Sequence, residues 1–102
     1  MTVSDEVQPV AVFAITPDAN EDHWAQATWH AEVAARKAAT EAGFTADDMT
    51  RSFERQNVVV ISTASGQRFE AWVVTNPKVS PFSYGQRMDP SGYRRPARPQ
   101  QT

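Results

Sequence analysis

The sequence predicts an α+β fold: a small β-α-β-β sandwich, one long helix on a three-stranded sheet, with an extended C-terminal tail. Three observations predict it. Residues 18–43 carry alanine at helical spacing between a marked start and a marked stop. Three short runs are rich in β-branched and aromatic residues, and the chain from Val79 onward is broken up by proline and glycine. With 102 residues and 11.3 kDa there is room for one domain. Its expected limits are residues 1–78, with a Pro/Arg-rich tail over 79–102.

The first strand is expected over residues 8–16, where Pro9 suits a strand's first position because it cannot donate to a ladder. Asp18 then offers an N-cap, and Glu21 three residues later completes a capping box. The helix runs to about Ala42. Gly43 stands where a left-handed residue closes a helix, and Phe44 can fold back on Ala39. Thr45-Ala46-Asp47-Asp48 reads as the cap of a short second helix carrying Met49 and Phe53. Residues 57–63 and 68–75 are two more strands, joined at Ser65-Gly66 into a hairpin. If strand one lies beside strand two, a right-handed crossover makes them parallel; if it pairs with strand three, the sheet is antiparallel throughout.

A turn centred on Ser65-Gly66 decides the faces. It groups Val58 and Val60 with Phe69, Ala71 and Val73, and it groups Val59 and Ile61 with Trp72 and Val74. Both faces are apolar, and a single helix covers only one. The face holding Val59, Ile61, Trp72 and Val74 is therefore expected to bury against a partner. Trp29 and Val33 add a second contact surface, because they lie on the helix side opposite its alanine stripe, among Asp22, Gln26, Arg36 and Thr40.

Chemistry-bearing patterns are missing from the sequence. It has no cysteine, hence no disulfide framework, thiolate zinc site or Cys nucleophile. His23 and His30 are two helical turns apart, too far to share one metal. Asp47 and Asp48 are adjacent and fit helix capping better than paired acid/base work. No Gly-x-Ser-x-Gly and no glycine-rich phosphate loop is present. No catalytic residue, metal ligand or cofactor site is expected, and the chain reads as non-enzymatic. No apolar run approaches the length that crosses a bilayer, and Asp5 and Glu6 stand where an export signal needs positive charge. The expected location is cytoplasmic, or within a particle assembled in the cytoplasm, with no membrane partner.

The net charge of −2 hides a division. Residues 1–50 hold nine acids and two bases, whereas residues 51–102 hold three acids and eight bases. Such a chain is suited to docking between surfaces of opposite sign. In the tail, Phe82, Tyr84 and Tyr93 alternate with arginines that include Arg94 and Arg95. The composition fits an arm docked on protein; the same residues could stack bases and pair with phosphates, which makes nucleic acid the weaker alternative.

Over residues 8–75 the β-α-β-β order, the alanine-rich helix and the Trp on the last strand are similar in outline to dodecins, small flavin-binding shells. The likeness lies in topology, with no family motif matched residue by residue. It implies an alternative function as an oligomer that binds a planar ligand. The leading expectation is an assembly or interaction subunit, part of a larger complex or a phage particle. Its partner is a copy of itself or a larger protein.

Overall fold

A computed structural model describes residues 6–55, 57–82, 84–93 and 95–96. The chain is α+β, with one 21-residue helix on a five-stranded mixed sheet. In chain order the elements are β1 (Glu6–Val7), β2 (Ala11–Ile15), α1 (Glu21–Glu41) and a 3-10 turn (Ala46–Asp48). There follow β3 (Met49–Arg55), β4 (Val58–Thr63), β5 (Arg68–Thr75), β6 (Gln86–Met88), a second 3-10 turn (Pro90–Gly92) and β7 (Arg95–Pro96). The main sheet has the order β3-β4-β5-β2-β6, and β1 pairs with β7 in a separate two-stranded ribbon.

Local chemistry sets both ends of α1. The cap is Asn20 rather than Asp18: its Oδ1 accepts a hydrogen bond from the His23 backbone N–H at 2.9 Å. At the other end Gly43 takes φ 103°. Its N–H donates to the Thr40 carbonyl, and that of Phe44 donates to the Ala39 carbonyl, the paired bonds of a Schellman ending.

The expected short second helix is instead the edge strand β3. Residues 49–55 alternate Met49, Arg51, Phe53 and Arg55 with Thr50, Ser52 and Glu54, and the polar members suit an edge with no second sheet neighbour. This strand also changes the sheet's directions. Each hairpin reverses the chain, so the additional strand turns β5 round and β2 pairs with it in parallel. Strand one does lie beside strand three of the expected order, but not antiparallel to it. The β-α-β-β outline that suggested dodecins is therefore not the observed order.

The β4–β5 hairpin corrects the expected faces. Gly66, at φ 93°, closes a three-residue loop in which its N–H donates to the Thr63 carbonyl, and the Thr63 N–H donates to the Gln67 carbonyl. The register becomes Val58↔Trp72 and Val59↔Ala71, one residue away from that of a two-residue turn. A one-residue slip moves every side chain to the opposite face. Val59 and Ile61, expected on an uncovered surface, are fully buried with Phe69, Ala71 and Val73 against Ala27, Ala31, Ala35 and Ala39 of α1. The small alanine side chains let the helix lie close to the sheet.

The second face holds Val12, Val58, Val60 and Trp72, with Val74, Met88 and Tyr93 packed around them. Trp72 is 7% exposed within the single chain. Its Nε1 donates to Glu70 Oε1 at 3.1 Å, while Arg68 donates to Glu70 at 3.1 Å and to Glu54 at 2.7 Å. Much of the cover comes from the segment expected to lack periodic structure. After Val79 the chain reaches the far edge of the sheet, where β6 pairs antiparallel with β2, and then places Tyr93 on this face.

Candidate functional site

With both sheet faces covered, the large apolar side chains left exposed among the described residues are Trp29 and Val33 on the helix, Phe53 on β3, and Phe82 and Tyr84 in the segment after β5. Trp29 is 58% exposed, Val33 44% and Phe53 48%. Trp29 and Phe53 are on opposite walls of an open groove of about 350 Å³ between α1 and β3, and Trp24, Ala25, Thr28, Glu32 and Arg51 complete the lining. The helix centres on β5, β2 and β4, so β3 projects beyond it and leaves this flank open.

A charged cluster fixes one side of the groove. Glu32 Oε2 accepts from Arg36 Nε at 2.9 Å, and its Oε1 accepts from Arg51 at 3.1 Å, joining the helix to β3. The Arg51 guanidinium also sits 5.3 Å from the centre of the Phe53 ring, within cation–π range. Partial burial disfavours the ionised Glu32 carboxylate, but the hydrogen bonds and charges of Arg36 and Arg51 outweigh it. The carboxyl is held below its usual value. A carboxylate with a depressed folded-state pKa stabilises above the unfolded value, near 4.3, and loses that contribution as pH falls through the folded value. Glu32→Gln is therefore expected to lower the melting temperature slightly at neutral pH. The loss should stay within about 1 kcal/mol, since both arginines are substantially exposed. The two proteins should converge as pH falls below about 4. A difference that persisted unchanged into acid would contradict this account.

A second opening, lined by Asp22, Gln26, His30 and Tyr84, adjoins the helix start, where Tyr84 stacks on His23 at 4.6 Å. Among the described residues no three His, Cys, Asp or Glu side chains are grouped to hold a metal ion. No helix of the described residues is long and apolar enough to cross a membrane.

The expected contact residues are dispersed. Trp29 lines the open flank, and Val33 is exposed on the helix outside the groove lining. Val59 and Ile61 are in the core beneath the helix, while Trp72 and Val74 belong to the second face. Trp29 and Trp72 thus lie on different sides of the sheet within one chain. Phe82 is 84% exposed, Tyr84 is half exposed against His23, and Tyr93 packs within its own chain. Arg94 lies outside the described residues; Arg95 is described by its backbone pairing to Val7. The sequence reading missed Arg51 and Phe53 as groove residues. The signal that could have found them is the period-two alternation through 49–55.

No family model matches the chain, and no curated protein or solved structure is significantly similar to it.

Proposed function

We infer that the chain is a non-enzymatic assembly subunit, working in the cytoplasm or in a particle assembled there, and that it associates with protein through the groove between α1 and β3. One observation carries the reading: Trp29 and Phe53 stay about half exposed on facing walls of this groove, although the chain has closed both faces of its own sheet. A large aromatic side chain left in water forgoes much of the stabilisation that burial would bring. Such residues are enriched at the centres of protein interfaces, where they account for most of the binding energy. The adjoining Arg51–Glu32 pair supplies the polar rim that orients a partner.

The test is the mass of the chain in solution as a function of concentration, by sedimentation. The expected result is a mass above 11.3 kDa that rises with concentration. Trp29→Ala should weaken this association by about 2 kcal/mol or more, as for an interface hot spot. Its folding should be unimpaired, because alanine favours helix at an exposed position. A variant that associates as before but melts lower would place Trp29 in its own chain's stability and overturn the reading.

A further inference from the structure

We propose that the groove between α1 and β3 receives the Pro96-Ala97-Arg98-Pro99 segment of a second copy of this chain. The inference rests on the reading just given and names its partner. The groove has aromatic walls, with Trp29 and Trp24 from the helix and Phe53 from the strand, and it is open along its length to solvent. Grooves of this kind recognise proline-rich segments, because the flat pyrrolidine rings stack on aromatic faces and the extended left-handed helix loses little entropy on binding. The sequence of this chain contains such a ligand. Pro96 and Pro99 are three residues apart. That spacing is one turn of polyproline II, so both rings fall on one edge about 9 Å apart.

Charge favours the approach of the two segments. Residues 18–48 carry seven acids and two bases, while residues 94–102 carry three arginines and no acid, so they attract at long range. Within the groove Glu32 is already paired with Arg36 and Arg51, so the aromatic walls supply the contact itself.

The fold assigns the segment to a neighbouring copy rather than to its own groove. Tyr93 packs on the sheet face away from the helix, and Arg95–Pro96 pairs with Glu6–Val7. That ribbon leads into β2, which β4 and β5 separate from β3 in the sheet. Residues 95–96 are therefore tied to the segment that precedes β2, and not to β3 or the groove. Docking exchanges a two-residue pairing for the groove of the next molecule. Groove and ligand lie at different places on the same chain, so the contact is head-to-tail and propagates beyond a dimer unless it closes into a ring.

A mixing experiment with the full-length chain tests this. Sedimentation is measured for the unaltered chain, for Trp29→Ala, and for the double variant Pro96→Ala/Pro99→Ala, with melting curves confirming that each is folded. Each variant alone should associate at least about tenfold more weakly than the unaltered chain. An equimolar mixture of the two should regain association, because one supplies an intact segment and the other an intact groove. If the proline variant associates normally while Trp29→Ala does not, the groove is an interface but the segment is not its occupant, and this proposal fails alone. If both variants are impaired and mixing restores nothing, the contact is not head-to-tail, as for two β3 edges paired symmetrically, and the proposal is again overturned. Association unaffected by either change overturns this proposal together with the reading beneath it.

Discussion

Ile61→Ala is expected to lower the unfolding free energy of the single chain by about 2–5 kcal/mol. Ile61 is fully buried between the sheet and the alanines of α1. Truncation removes the transfer free energy of the deleted methylenes and leaves a cavity that closely packed neighbours fill only in part. A domain of this size has about 5–15 kcal/mol of stability in all, so the variant would stand near the edge of folding. Urea titration measures the loss, and its dependence on protein concentration identifies where the loss arises. A core residue gives the same shift of midpoint at every concentration. A shift that grew with concentration would move Ile61 from the core to an intermolecular contact and contradict the observed register.

Gly85→Ala is expected to cost about 2–5 kcal/mol, from two causes that act together. Gly85 has φ 120°, in the region that L side chains rarely adopt, and the strain there is about 1–2 kcal/mol. A Cβ built at this position would also meet Ala27 Cα and Cβ at 3.3 Å. These atoms belong to a helix pressed on the sheet, so they cannot swing aside as the end of a flexible side chain would. Forced contacts of this kind add about 1–3 kcal/mol. Gly43 separates the two causes, because it has φ 103° with nothing within 4 Å of its missing Cβ. Gly43→Ala should carry the conformational cost alone. Thermal melts of the two variants give the difference, and equal losses would show that the approach of residue 85 to the helix has no energetic weight.

The elements most legible in the sequence were those fixed by local chemistry. The limits of α1 follow from a capping side chain at its start and from Gly43 and Phe44 at its end, all within a few residues of the bonds they make. The misread features depended on distant partners or on small local choices with large consequences. Strand β3 looked helical because Met49 and Phe53 are four residues apart, a spacing that satisfies a helix while the intervening alternation satisfies an edge strand. The exchange of faces at Val59 and Ile61 turned on one residue of hairpin register, which the left-handed Gly66 decides. Strand β6 offers three residues whose pairing exists because β2 has an open edge more than seventy residues upstream. The exposure of Trp29 was readable because a large aromatic stands among polar neighbours on the helix. Phe53 and Arg51, across the groove from it, were not, because their placement depends on recognising β3 first.

The position of β2 within the sheet also governs the order in which the molecule can be made. It is the first strand of the main sheet to leave the ribosome, yet its neighbours are β5 and β6: Ala11 pairs with Ala71, and Val12 with Met88. Helix α1 and the β3–β4–β5 meander can begin to form from contacts close in sequence. The central pairing of the sheet cannot close until the last strands have been synthesised. Non-local parallel pairing is slow because loop closure precedes the contacts that reward it. Through most of translation the apolar residues 10–15 therefore have no partner strand. Nascent chains stopped before residue 86 should be captured by chaperones through this segment, and the capture should fall off once β6 has emerged.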